Sequence, residues 1–110
     1  MNPNALRCCK VKNHAIYLIQ CEQNPLGFLL LTNLYNKRSF SELLLRLNCN
    51  EDDLAYYLTI LVKAELVGYE YTEENIGAKV IYVKNFVITK NGKKILEKIN
   101  KKSFIPKESF

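Results

Sequence analysis

Residues 39–65, SFSELLLRLNCNEDDLAYYLTILVKAE, predict two helices separated by a short polar turn. Ser39 and Glu42 have the spacing of a capping box, in which a hydroxyl and a carboxylate each bind a free backbone amide at the start of a helix. The asparagine that ends the turn 48–50 is a favourable N-cap for the second helix. The stretch therefore predicts a short helix, a three-residue turn and a longer helix over 51–65.

The second helix has one apolar face and one polar face. Leu54, Leu58 and Leu61 recur at helical spacing, with Tyr57 and Val62 beside them, and are predicted to point inward. The acids of its first turn stabilise a helix start by opposing the helix dipole, whatever the function of the protein. The positions predicted to point outward are Glu51, Asp52, Ala55, Tyr56, Thr59 and Lys63.

Two elements are expected ahead of this pair of helices. Asn24 and Pro25 place an N-cap residue before a proline at the first helical position, and open a helix to about Asn36 that is apolar nearly all round. Residues 5–22 fit a helix with an apolar face, which we favour. They also fit a hairpin that turns at Lys12-Asn13, because the segment after it is rich in strand formers.

A β-hairpin is predicted after the second helix. Val67, Tyr69 and Tyr71 recur with a period of two, which indicates a strand. We expect these tyrosines to pack in the core or on the sheet. A polar loop over 73–79 joins this strand to a second one over 80–89, which is rich in β-branched and aromatic residues.

A closing helix completes the predicted domain. Thr89 is expected to cap this helix, which runs to about Lys102 and has an apolar face of Ile95, Leu96 and Ile99. The sequence thus divides into an N-terminal extension (1–23), one domain (24–102) and a flexible tail (103–110). The predicted fold class is mainly α with a small β-hairpin, that is, α+β.

Composition and charge restrict the functional classes. With 110 residues, 48% of them hydrophobic and 25% charged, the chain suits one globular domain. It has no apolar run of the roughly 20 residues that span a bilayer and no evident signal peptide, so we expect a cytoplasmic protein. The net charge of +5 is unevenly distributed: 1–46 carry +4, 47–83 carry −5, and 84–110 carry +6. A basic surplus suits a polyanionic partner, and also suits a solvated surface.

The cysteines and the single histidine give little support for a metal site or for catalysis. Cys8, Cys9, Cys21 and Cys49 lack the paired spacing of zinc ligands, and His14 is the only histidine. We therefore expect free thiols, no metal and no cofactor. The sequence also lacks a phosphate-binding loop and a catalytic dyad, so we predict that the protein is not an enzyme.

The order of elements is that of a winged helix-turn-helix, in which the second helix of the pair projects from the body and a hairpin flanks it. Residues 25–71 and the segment FVITKNGKKILEKI resemble winged-helix transcriptional regulators of the ArsR, MarR and PadR type, including short archaeal forms. Glu65 stands where that family has a glycine. The acids at 51–52 and at 73–74 also depart from the family, whose members usually carry polar or basic residues on the recognition helix and a basic wing.

The resemblance implies a DNA-binding transcriptional regulator, with the helix 51–65 in the major groove and the 73–79 wing on the backbone. We also predict a homodimer formed through the closing helix (92–102) and the N-terminal extension, because the helices at 25–36 and 92–102 offer more apolar surface than a small monomer easily buries. The alternative is a winged-helix module that does not bind DNA and docks a basic protein partner through its acidic central segment. The expected contacts to double-stranded DNA are Lys37, Arg38, Arg46, Asn50, Ala55, Tyr56, Thr59, Lys63 and Lys79.

Overall fold

The computed structural model describes the backbone of residues 3–108 and the side chains of residues 10–99. Over that part of the chain, five helices and a three-stranded antiparallel sheet form an α+β fold. No helix in these ranges has the length and apolar character needed to cross a membrane. The elements are α1 (Pro3–Gln20), α2 (Leu26–Asn33), β1 (Arg38–Ser39), α3 (Phe40–Leu47), α4 (Glu51–Lys63), β2 (Val67–Ile76), β3 (Lys79–Ile88) and α5 (Lys90–Glu108).

One hydrophobic core holds the helices and the base of the sheet together. The inner face of α4 lies at its centre, and Leu54, Leu58 and Leu61 are buried there as predicted. Each such side chain contributes about 1.5–3 kcal/mol relative to an exposed one. The other elements contribute Ala15, Leu18 and Ile19 from α1, Leu30, Leu31 and Leu34 from α2 and its C-cap, Leu43 from α3, Phe86 and Ile88 from β3, and Leu96 from α5.

The segment that the sequence left open, 5–22, is helical. α1 packs against both α2 and α4, which explains its buried face. α2 also contacts α3 and α5, so the nearly continuous apolar surface of α2 is covered from several sides. The prediction of burial on more than one side of this helix is confirmed.

α2 is shorter than predicted at both ends. It begins at Leu26, whose amide is 3.3 Å from the Asn24 Oδ1 atom. It ends at Asn33 instead of Asn36. Beyond it the Tyr35 amide reaches the Thr32 carbonyl at 3.5 Å, and the Leu34 carbonyl, which is free at the end of the helix, accepts a hydrogen bond of 2.7 Å from the amide of Ile88.

The predicted helix starts in the quoted stretch are confirmed. The Ser39 hydroxyl accepts from the Glu42 amide (3.3 Å) and the Glu42 carboxylate accepts from the Ser39 amide (3.4 Å), which forms the capping box of α3. Asn50 Oδ1 accepts from the Asp52 amide at 2.7 Å and caps α4. α4 ends at Lys63, two residues early, because Glu65 takes a left-handed conformation (φ 62°).

The hairpin is longer and its turn tighter than predicted. The strand order is β1-β3-β2, and β2 and β3 pair from Val67↔Ile88 to Ile76↔Lys79. The predicted loop over 73–79 is therefore wrong: only Gly77 and Ala78 form the turn. Gly77 has a φ of 62°, as the first turn position of a type II′ hairpin requires. Polar residues such as Glu73 and Glu74 suggested a loop, but an exposed strand accommodates them as well.

The tyrosines predicted to pack in the core or on the sheet do both. Tyr57 is buried in the core, while Tyr69 and Tyr71 pack on the sheet with ring centroids 6.2 Å apart and remain 50% and 61% exposed. They lie on the same face of the sheet as Phe86 and Ile88, which are buried. The hairpin extends beyond the helices, so residues further from its base lose their cover.

α5 starts as predicted and continues further. The Thr89 hydroxyl accepts from the Gly92 amide at 3.1 Å and so caps the helix. The same hydroxyl donates to the carbonyl of Glu65 at 2.7 Å, and the Thr89 amide donates to the carbonyl of Leu66 at 3.1 Å. The backbone is helical to Glu108, beyond the expected end near Lys102, so the helix enters the segment assigned to a tail.

Gly27 provides a test of the contact between α1 and α2. A Cβ atom at this position would lie 2.5 Å from the backbone oxygen of Leu18, and backbone cannot move aside as a side chain can. We expect Gly27→Ala to lower the free energy of unfolding by about 1–3 kcal/mol, as overpacking does, measured by urea denaturation. Gly68→Ala is the control, because its Cβ would meet only ordinary van der Waals contacts, the nearest at 3.7 Å from Thr89. Equal effects of the two substitutions would contradict the close packing.

Candidate nucleic-acid interface

The outer face of α4 is exposed over its whole length. Burial of the inner face leaves the opposite positions in solvent, because a helix has 3.6 residues per turn. All six positions predicted to point outward are exposed: Glu51, Asp52, Ala55, Tyr56, Thr59 and Lys63. The charges on this face are graded, with acids in the first turn and a cation at the end. Asp52 and Lys63 are about 17 Å apart along the helix axis.

At the N-terminal end of α4, side chains are engaged in holding the helix. The Asn50 side chain is bound to the Asp52 amide, so its predicted contact to nucleic acid would compete with the cap. Glu51, Asp52 and Asp53 lie in the first turn, where they oppose the helix dipole. This end is therefore built for helix stability and carries a local negative charge.

In the middle of α4, Tyr56 contacts α1. Its hydroxyl is 2.9 Å from His14 Nε2, and the two rings meet edge to face. The His14 ring also stacks on Tyr17, with ring centroids 6.5 Å apart. Tyr56 remains 51% exposed, so its ring is held in place by α1 while one side is open to solvent. Sequence reasoning selected Tyr56 and did not find this partner, because the two residues are 42 positions apart.

The C-terminal half of α4 borders an open groove of about 380 Å³ between the helix and the sheet. Ala55, Thr59 and Lys63 form the helix side of this groove. The Thr59 hydroxyl donates to the carbonyl of Ala55 at 2.7 Å, which leaves its oxygen lone pairs directed to solvent as acceptors. The floor and the opposite wall consist of Phe40, Leu58, Val62, Tyr69, Phe86 and Lys84.

Lys84 places a second cation at this groove. Its Nζ atom lies 4.1 Å from the centre of the Tyr69 ring and 5.3 Å from that of Phe86, in cation–π contacts. Lys84 and Tyr69 are not among the contacts predicted from the sequence. The register of the hairpin, Tyr69↔Phe86 and Tyr71↔Lys84, puts them on the groove side. A two-residue turn at Gly77-Ala78, had it been recognised, would have predicted that register.

The cations predicted before α4 have structural partners. Arg38 is mostly buried at its side chain (17% exposed); its Nε donates to the carbonyl of Asn33 at 3.0 Å, and it lies 3.8 Å from Glu42. Arg46 Nε donates to the Asn33 side chain at 3.2 Å, and Lys37 forms an ion pair with Glu70. These residues hold the junction of α2, β1 and α3, and only Lys37 and Arg46 are exposed.

Lys79 lies apart from the other candidates. It pairs with Ile76 at the tip of the hairpin and does not border the groove. Lys84 lies five positions further along β3, a distance of about 17 Å. The structure thus brings Ala55, Thr59 and Lys63 together with Lys84, and leaves Lys79 at the far end of the hairpin.

Two ionisable groups near the start of α4 are shifted toward their neutral forms. Burial raises the pKa of the Cys49 thiol above its ordinary value, and the negative charge of Asp53 raises it further. Burial likewise raises the pKa of Tyr57, with added contributions from Cys21 and Asp53, while a hydrogen bond from Asn24 opposes the shift. Cys21 and Cys49 are free and half-buried. Among the described residues, no group of three or more His, Cys, Asp and Glu side chains could hold a metal ion.

Comparisons with known proteins identify no relative. No model of a protein family matches the chain, and no curated protein sequence matches it. The resemblance to winged-helix regulators therefore stays a prediction, and the functional argument rests on the geometry of α4 and the hairpin.

The raised pKa of Cys49 predicts slow alkylation of this thiol. Because only the thiolate reacts, the midpoint of the alkylation rate against pH should lie higher for Cys49 in the folded protein than in the chain unfolded by urea. Asp53→Asn should move the folded midpoint down, because it removes a negative charge that disfavours the thiolate. Mass spectrometry of the peptide that contains Cys49 follows the rate. A folded midpoint at or below the unfolded one would contradict the assignment.

Proposed function

We propose that this protein is a winged helix-turn-helix protein that binds double-stranded DNA and regulates transcription. In this proposal α3 and α4 are the helix-turn-helix pair, α4 is the recognition helix, and β2 and β3 form the wing. The element order from α2 to β3 and the short turn between α3 and α4 support it. The major groove, about 12 Å wide, admits one helix presented in this way.

The observation that carries the proposal is the exposed outer face of α4 beside the groove that Lys63 and Lys84 border. Small side chains at Ala55 and Thr59 let base edges approach the helix. Thr59 supplies hydroxyl acceptors and Ala55 an apolar contact, which suits a thymine methyl. Lys63 and Lys84, which border this one groove, suit contacts to backbone phosphates beside a major groove.

The position of the cations changes the role proposed for the wing. The tip has Lys79 as its cation and carries Glu73 and Glu74 close by in β2, and carboxylates repel phosphates. The base of the hairpin presents Lys84 next to α4. We therefore assign the principal backbone contact of the wing to Lys84, with Lys79 as a more distant contact.

The remaining predicted contacts differ in how directly they reach the DNA in this proposal. Tyr56 reaches the DNA with its ring, because its hydroxyl is bound to His14. Lys37 and Arg46 are exposed cations that reach the backbone if they exchange their present partners for phosphate. Arg38 acts by positioning α3, because its guanidinium is bound to Asn33 and lies near Glu42.

A second candidate function is favoured by the acids at the start of α4. Glu51, Asp52 and Asp53 are exposed, and no ion pair to them occurs among the side chains described, 10–99. A module that docks a basic protein would use such a surface. On DNA the same carboxylates would need to accept from cytosine amino groups or would reduce the affinity.

A salt titration tests the DNA-binding proposal. The affinity for random duplex DNA, followed by fluorescence anisotropy, should fall linearly on a log–log plot against salt concentration. Lys63→Ala and Lys84→Ala should each make that slope shallower by about 0.9, the value for one phosphate contact. Lys90→Ala is the matched control, because this exposed lysine of α5 does not border the α4 groove.

Three outcomes would count against the proposal. Unchanged slopes in both groove variants would show that the groove does not contact phosphate. An equal change in Lys90→Ala would place the DNA on α5 instead. No binding even at low salt would favour the docking of a basic protein, and a crosslink from the Asp52 position to that protein would then support the second candidate.

A further inference from the structure

The far part of the hairpin, residues 71–82, is a two-stranded arm without cover on either face. Every residue in it is exposed. Its face on the side of Phe86 and Ile88 carries Tyr71, Val80 and Tyr82, which are 61%, 50% and 68% exposed. A two-stranded hairpin by itself is marginally stable in water, and large exposed apolar patches mark interaction sites.

The β2 edge of the arm is protected against strand pairing. β2 is the outer strand of the sheet and carries Glu70, Glu73 and Glu74. Pairing of two β2 strands around a two-fold axis would bring these carboxylates together, and like charges opposite each other destabilise a sheet. Pairing through β2 is therefore disfavoured, and the exposed apolar face of the arm remains for binding.

A complementary groove lies between α1 and α5. It has a volume of about 310 Å³, and its apolar lining comes from Ile16, Ile95 and Ile99. Lys12, Lys94 and Lys98 also line it, and all three are exposed. A segment that fits this groove must combine apolar side chains with negative charge.

The arm of the same sequence has this combination. Glu73 lies directly opposite Tyr82 in the hairpin register, and on the same face as Tyr71 and Val80. We propose that two copies of the chain form a homodimer in which the arm of each copy lies in the α1/α5 groove of the other. Tyr71, Val80 and Tyr82 pack on the isoleucines, and Glu73 pairs with the lysines. This inference does not depend on DNA binding.

The charges distinguish this arrangement from the dimer expected from the sequence, which is formed through the closing helix and the N-terminal extension. A two-fold axis through α5 would bring Lys94 and Lys98 of both copies together, and such repulsion opposes association. Reciprocal docking around a two-fold axis replaces it with attraction, and it fills both arms and both grooves within the dimer. Two contacts are also needed to approach the roughly 1,200 Å² that small stable interfaces bury, since each arm presents only about 20 Å of ribbon.

A charge-exchange experiment tests the arm and the groove together. Glu73→Lys and Lys94→Glu should each raise the dimer dissociation constant about tenfold or more, because each change places like charges in both contacts. An equimolar mixture of the two variants should form a heterodimer close to the wild-type affinity. One contact then has lysine at 73 facing glutamate at 94, and the other is wild-type. Sedimentation velocity over a range of concentrations measures the association.

Glu74→Lys is the matched control, since it makes the same charge change in the next residue, on the opposite face of the arm. It should change the dissociation constant little. A monomeric wild-type protein at all concentrations, a Lys94→Glu homodimer as tight as the wild type, or a mixture that stays monomeric would overturn the proposal. Equal loss in Glu74→Lys and Glu73→Lys would overturn the assignment of the face. DNA affinity is not the readout, so any of these results leaves the DNA-binding proposal to its own test.

Discussion

The hydrogen bonds of Thr89 fix how the helices and the hairpin are arranged. Its hydroxyl donates to the carbonyl of Glu65 and accepts from the amide of Gly92, while its amide donates to the carbonyl of Leu66. One residue thus joins the end of α4, the end of β3 and the start of α5. Glu65 is held in a left-handed conformation that costs a non-glycine residue about 1–2 kcal/mol, and these bonds offset that cost.

The positions of the α4 groove and of the arm follow from this junction. Because the chain reverses direction at Glu65, β2 returns beside α4 and places Tyr69 next to the outer face of the helix. β3 then brings Lys84 to the same groove through its pairing with β2. The hairpin is paired with β1 only near its base, at Phe86 and Asn85, so the rest of it extends into solvent as the arm.

The charge distribution divides the molecule into regions with different chemistry. The negative central segment of the sequence is split in three dimensions between the start of α4, about 17 Å from Lys63 along the helix, and the hairpin, which carries Glu70, Glu73 and Glu74. The positive ends of the sequence meet where α1 and α5 form a groove lined with lysines. A single net charge of +5 therefore describes neither surface.

Local sequence determined the helix starts and the buried face of α4, because a capping box, an N-cap asparagine and a 3.6-residue period act within a few residues. The capping roles of Ser39, Glu42 and Asn50 were correctly predicted. It selected the outward positions of α4 for the same reason. The tertiary structure alone decided the groove at Lys84, the contact of Tyr56 with His14 and the hydrogen bond from the Ile88 amide to the Leu34 carbonyl. Each of these contacts joins residues that are distant in sequence. They become neighbours only when the core has packed and the strand register is set.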